Sequence, residues 1–202
     1  MDGTLVNTEP LHARAMDKVL KKNQLNHQIG DDESMEHFMG MTDTSVLKEL
    51  CPELSDGEID RLIADKNHIL CEILLELDAH TKDQLTAPGL LDLLTFIKNH
   101  QKNLAVVSAS ENAIVEATLK AFNLIHHFDF WYGRGSTTRT KPHPDPYIEA
   151  MKKAGFKESE TVIFEDSPTG LMAAKGSGAS IIEVAPFSSM HYLKDYRIIL
   201  EN

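Results

Sequence analysis

Four short stretches of the 202-residue chain carry residue types suited to holding a phosphoryl group. Asp2-Gly3-Thr4 puts a carboxylate and a hydroxyl around a glycine. Ser108-Ala109-Ser110 follows the apolar run Leu104-Ala105-Val106-Val107. Lys141-Pro142-His143-Pro144-Asp145 precedes a helical pattern, and Glu165-Asp166-Ser167 follows a second apolar run, Thr161-Val162-Ile163-Phe164. Phosphate oxygens are well held by a serine hydroxyl and by the backbone amides that open a helix. A lysine adds a point positive charge to the same oxygens. Adjacent carboxylates suit Mg2+, which takes few protein ligands and fills its shell with water and phosphate. Two acids at a buried strand end are costly without a cation. Each stretch alone has a plainer reading. A serine after a strand is often only a helix N-cap, and a lysine before proline is usually a solvated loop residue. Order and spacing together carry the weight.

The elements that must position these groups alternate. After Pro88-Gly89 the pattern predicts a helix over 90–99, a buried strand over 104–107, and a helix over 111–122. It continues with a short strand over 128–132, a helix over 144–154, a strand over 161–164, a helix over 169–175 and a strand over 181–184. Strands alternating with helices specify an α/β fold with a parallel sheet. Ligands of such sheets bind beyond the carboxyl ends of the strands, where the serine, lysine and two acids fall. The stretch before residue 85 reads as helical throughout. Thr8 is placed to cap a helix with Pro10 in its first turn, ending at Lys21-Lys22-Asn23. Further helices are expected over 32–39 and 43–50. Ser55-Asp56-Gly57-Glu58 resembles a capping box that opens a long amphipathic run through Ile59, Leu62, Ile63, Ile69, Leu70, Ile73, Leu74 and Leu77. The stretch after Pro186 is short and uninformative.

Composition narrows the function classes. Apolar residues make up 42% of the chain and charged ones 25%, enough for a real core under a wet surface. A net charge of −11 disfavours nucleic-acid binding, which draws on counterion release by cationic side chains, and disfavours docking on anionic membranes. No apolar run reaches membrane-spanning length, and the first residues do not form a signal peptide. Cys51 and Cys71 read as reduced structural thiols of a cytoplasmic protein.

The four stretches, taken in order, resemble the four motifs of the haloacid dehalogenase superfamily. Asp2-Gly3-Thr4-Leu5-Val6-Asn7-Thr8-Glu9-Pro10 is similar to the first, Ser108 to the second, Lys141-Pro142-x-Pro144-Asp145 to the third, and Phe164-Glu165-Asp166-Ser167-Pro168-x-Gly170 to the fourth. The resemblance spans nearly the whole chain. It implies a Rossmann-like core over 1–8 and 83–202 with an α-helical cap over 9–82, as in the subfamily resembling β-phosphoglucomutase and phosphoglycolate phosphatase. It also implies roles. Asp2 matches the general acid/base, and its carbonyl matches a Mg2+ ligand. Asp166 matches the acidic metal ligand, and Glu165 a neighbouring ligand or its support. Ser108, the amide of Ala109 and Lys141 match phosphate-holding groups. Thr8 and His12 match cap-hinge positions that help place the acid/base, although His12 reads equally well as a helix-surface histidine. Asn112 matches a substrate-side position.

The family motif is Asp-x-Asp-Gly-Thr, whose first aspartate attacks phosphorus and whose second handles protons. Met1 occupies the x position, so the nucleophile would precede the first residue given. The central apolar strand that carries it is then also expected to be missing, at a cost to its neighbours' backbone hydrogen bonds and to the core. A truncated start is the favoured expectation and a natural pseudoenzyme the alternative. Related mutases carry cations where this chain has Asp43, in Gly40-Met41-Thr42-Asp43, and Glu111. Two acids there would repel a second phosphate. The expectation is therefore a Mg2+-dependent phosphatase of a small phosphorylated metabolite, a monomer or weak homodimer. A catalytically dead binding protein, a phosphosugar mutase and a dehalogenase are the alternatives; the last is disfavoured by Gly3-Thr4 and the fourth-motif acids.

Overall fold

The computed structural model describes residues 1–27, 29, 37–38, 41–185, 187–188, 191–192 and 195–200. These divide into two compact units, residues 8–77 and residues 1–7 with 78–202. The division falls at 77/78, where the sequence put it at 82/83.

In the unit of residues 8–77, Pro10 suits the first turn of α1 (Glu9–Lys22) by its fixed φ, and Glu9 in that turn with Lys21 and Lys22 in the last are favourable to the helix dipole. Thr8 holds the N-cap position with helical dihedrals, φ −95° and ψ 0°. A capping side chain needs extended backbone, so the Thr8 hydroxyl does not close the first turn as expected; its carbonyl does, accepting from the Leu11 and His12 amides. Helix α2 (Asp43–Leu50) is capped by Thr42, and α3 (Asp56–Glu76) by the expected reciprocal Ser55–Glu58 box. The core joins Met16, Val19 and Leu20 of α1 to Val46 and Leu47 of α2, Cys51, and Ile59 and Leu62 of α3. The helix expected over 32–39 lies largely outside the described residues.

In the other unit, α4 (Ala79–Leu85), which lies in the stretch read as helical but was given no bounds of its own, is started by Asp78 accepting from the Thr81 amide. Helix α5 (Leu90–Asn99) precedes β1 (Ala105–Glu111), α6 (Asn112–Ala121), β2 (Phe130–Arg134), α7 (Asp145–Ala154), β3 (Val162–Glu165), α8 (Pro168–Ser177) and β4 (Ser180–Glu183). A short antiparallel pair, β5 (Phe187–Ser188) and β6 (His191–Tyr192), and α9 (Arg197–Leu200) follow. The fold is α/β with parallel pairing, as expected. Strand β1 runs parallel to β2 from Ala105↔Phe130 to Val107↔Tyr132, and β3 parallel to β4 from Val162↔Ser180 to Glu165↔Glu183. Among the described residues β1 pairs with β2 alone and β3 with β4 alone.

Strand β1 does not stop at Val107. The register slips between Val107 and Glu111, so Ser108, Ala109 and Ser110 lie in extended backbone released from regular pairing. Gly133 makes that slip possible: a Cβ there would come within 2.6 Å of the Asn112 amide and the Ser110 carbonyl.

Candidate phosphate and cation site

The first six residues wrap into a tight turn. The Met1 carbonyl accepts from the amides of Thr4 and Leu5 at 3.2 and 2.8 Å, and Gly3 takes φ +71° to close it, its amide donating to Val6. The turn is tied into its unit by Asn7 N–H donating to Leu85 and Ala87 N–H to Leu5. It delivers two side chains. The Asp2 carboxylate accepts a hydrogen bond from Ser110 Oγ at 3.1 Å, and Thr4 Oγ1 donates to Asp166 Oδ1 at 2.7 Å. Asp2, the β1 slip and the end of β3 therefore meet.

The end of β3 is organised around Glu165. Its Oε1 accepts from the Asp166 and Ser167 amides and from Ser167 Oγ; its Oε2 accepts from Lys141 Nζ at 2.7 Å and Tyr147 Oη at 2.5 Å. Five donors converge on one buried carboxylate. Burial pushes its pKa up, but the Lys141 charge, the chain's amino terminus and the Lys141 and Tyr147 hydrogen bonds outweigh it and hold the group at about 2. Gly170 lies opposite, and any Cβ on it would strike the Glu165 carboxylate. Ser167 caps α8, accepting from the Gly170 amide, so the acids sit at the mouth of a helix N-terminus. Lys141 is nearly buried, donates also to the Val107 carbonyl at 3.2 Å, and lies 4.7 Å from the Tyr147 ring centre.

Asp166 differs from its neighbour. Burial raises its pKa first, and the Glu165 charge adds to that; the amino terminus and the Thr4 hydroxyl oppose it. Its Oδ1 is taken by Thr4 and its own backbone amide also contacts the carboxylate, while no side chain among the described residues donates to Oδ2. A half-buried carboxylate with an oxygen to spare and a pKa driven up by burial fits a hard divalent cation. Glu165, with both oxygens committed, fits the task of holding Lys141 better than that of a ligand. No group of three or more His, Cys, Asp or Glu side chains forms a metal cage among the described residues.

Ser108 is buried, and its Oγ accepts from the Ser110 amide at 3.2 Å, which leaves the hydroxyl proton to donate. The Ala109 carbonyl accepts from Arg134 Nε at 3.0 Å. Asn112 is committed elsewhere: its Oδ1 accepts from the Gly133 amide at 2.7 Å and its Nδ2 donates to Ser136 Oγ at 3.1 Å, so it ties β2 to the residues that follow it. Thr8 and His12 belong to the unit of residues 8–77. There His12 joins a polar cluster that sequence reasoning missed. Lys66 Nζ lies 2.7 Å from His12 Nδ1 and 3.0 Å from Asp43 Oδ2, with the Lys66 residue only 1% exposed. An ammonium has donors only, so Nδ1 is the acceptor. The signal was available: position 66 falls on the buried stripe of Ile59, Leu62, Leu70 and Ile73. Ser110, Tyr147 and Tyr196 were also missed, single polar residues with no spacing to mark them.

Residues 1–184 match the family model for haloacid dehalogenase-like hydrolases. The fructose-1-phosphate phosphatase YqaB of Escherichia coli is 28% identical over 186 residues, covering 91% of this chain and 93% of that protein. A phosphorylated carbohydrates phosphatase of Thermotoga maritima is 25% identical, covering 100% and 88%. Among solved structures, CbbY from Rhodobacter sphaeroides in complex with phosphate superposes with a TM-score of 0.80 at 25% identity, covering 97% of this chain and 89% of CbbY.

Proposed function

The chain belongs to the haloacid dehalogenase-like hydrolases, and from that membership we propose that it is a Mg2+-dependent phosphatase of small phosphorylated metabolites, sugar phosphates first among them. The observation that carries the reading is the linked set Lys141–Glu165 and Thr4–Asp166 at the end of β3, joined through the turn of residues 1–6 to Asp2. Its parts divide the work. Lys141 spends two N–H groups on Glu165 and Val107 and keeps the third for a phosphate oxygen. Ser108 donates its hydroxyl proton to another oxygen, and the Ala109 amide serves a third. Asp2, oriented by Ser110, protonates the leaving oxygen and then takes a proton from water. Asp166 and the Asp2 carbonyl would hold the cation, and a bound Mg2+ would offset the charge between phosphate and carboxylate.

Residues 1–202 include Asp2 but no carboxylate two positions before it, and we propose that turnover requires one. Two acids speak against a mutase. Asp43 is spent on neutralising Lys66, and Glu111 ends β1 exposed, so neither position offers a cation to a second phosphate. The relatives named for fructose 1-phosphate and phosphorylated carbohydrates support a sugar monophosphate. No helix among the described residues is long and apolar enough to cross a membrane, and two free thiols suit the cytoplasm. A substrate panel on the protein carrying an N-terminal strand that ends in Asp two residues before Asp2 tests this: hexose monophosphates should be hydrolysed, and efficient interconversion of hexose bisphosphates would overturn it.

A further inference from the structure

The segment Asp195–Leu200 reaches into the site's own unit. Helix α9 packs against α5, and the Tyr196 amide donates to the Pro88 carbonyl at 2.8 Å. Gly89, at φ +73°, admits this approach, because a Cβ there would come within 2.6 Å of Arg197 N and Asp195 Oδ1. Docked this way, Tyr196 is 5% exposed and its ring meets Phe164 edge-on at 6.1 Å between centroids. Its hydroxyl donates to the carbonyl of Thr4 at 2.8 Å, and Thr4 Oγ1 donates to Asp166 Oδ1 at 2.7 Å. Tyr196 therefore touches both segments that supply the acids, β3 through Phe164 and the turn of residues 1–6 through Thr4. The Thr4 carbonyl belongs to a buried residue and would be expensive to leave without a donor.

We propose that Tyr196 is a positioning residue of the cation site: it fixes the Thr4 backbone, so that Thr4 Oγ1 engages one oxygen of Asp166 and leaves the other for a divalent cation. The inference rests on the reading of Asp166 as a cation ligand. It gives the C-terminal segment a share in the site, where plain packing would ask only for an apolar ring.

Mn2+ titrations followed by electron paramagnetic resonance on the wild-type chain, Asp166→Asn, Tyr196→Phe, Thr4→Val and the double variant test it, with melting temperatures alongside. Tyr196→Phe keeps the ring on Phe164 and removes only the hydroxyl. Asp166→Asn should lose most Mn2+ binding. Tyr196→Phe and Thr4→Val should each weaken it about fivefold, the effect of one net hydrogen bond. The double variant should bind no more weakly than Thr4→Val, because Tyr196 acts through Thr4. Unchanged affinity in Tyr196→Phe beside a loss in Asp166→Asn overturns the positioning role and leaves the cation reading standing; fully additive losses overturn it as well. Wild-type-like binding by Asp166→Asn overturns the cation reading and the positioning role with it. Should Tyr196→Phe prove too unstable, the same titration at a temperature well below its melting transition reads the Tyr196–Thr4 link, while Thr4→Val against Thr4→Ser reads the Thr4–Asp166 link alone, since serine keeps the hydroxyl and should keep the affinity.

Discussion

Replacing Glu165 with glutamine should destabilise the unit of residues 1–7 and 78–202 by about 3 kcal/mol at neutral pH. Glutamine keeps the size but turns an amide nitrogen toward a cage of five donors. Lys141 is left nearly buried without its counter-charge, and removing one partner of a buried pair costs about 3–5 kcal/mol. A second route gives a similar size. The Glu165 carboxyl is held at about 2 against an ordinary 4.5, with burial opposed by Lys141, the amino terminus and Tyr147. A difference of that size between folded and unfolded chain is worth about 3 kcal/mol. The sign follows from the direction: a pKa lowered on folding stabilises fully above 4.5, and that contribution is lost as pH falls toward 2. The gap between wild type and variant should therefore be widest at neutral pH and narrow steadily in acid. Urea unfolding read by the fluorescence of Trp131, the single tryptophan, reports this unit from β2. A variant within about 1 kcal/mol of wild type at neutral pH, or a gap that stays constant down to about pH 3, would refute the reasoning.

Two further substitutions probe the rest of the framework. Asp43→Asn strips the carboxylate from Lys66 and should cost about 2–3 kcal/mol, less than for a fully buried pair because the Asp43 side chain is 31% exposed. Adding Lys66→Met should recover most of that in urea melts, and an additive loss would show that the pair is not the cause. Asn112→Ala removes the hydrogen bonds that tie it to Gly133 of β2 and to Ser136 beyond it, costing about 1–2 kcal/mol and speeding amide exchange at Gly133; unchanged exchange there would return Asn112 to the substrate-contact role.

Regular, locally determined features were legible from residues alone. The Ser55–Glu58 box, the helix over 90–99 and the strand–helix alternation after Pro88 all follow from short-range pattern. Helix α4 fell inside the stretch read as helical but its bounds were not legible, because a single cap at Asp78 starts it, with no long apolar stripe to announce it. Strand β1 was set too short because Ser108 and Ser110 look like loop residues, and only the slip permitted by Gly133 keeps the backbone extended through them. Thr8 has the composition of a cap and the dihedrals of a helix, which is a property of the chain's entry angle. The site motifs were readable as types, but their division of labour was not. That Glu165 is consumed by Lys141 and Tyr147 while Asp166 keeps an oxygen to spare depends on contacts between residues far apart in the chain. Tyr196 and Lys66 show the same limit: the first acts over 192 positions of sequence separation, and the second reveals itself only as a cation on an apolar stripe.

The most direct test of the account is phosphate release from sugar monophosphates with Mg2+ present, comparing residues 1–202 with the same chain carrying an apolar strand that ends in Asp two residues before Asp2. The extended protein should turn over, Asp2→Asn in that background should not, and residues 1–202 alone should release little or no phosphate. Robust turnover by residues 1–202 that Asp2→Asn abolishes, or a silent extended protein that folds, would contradict it.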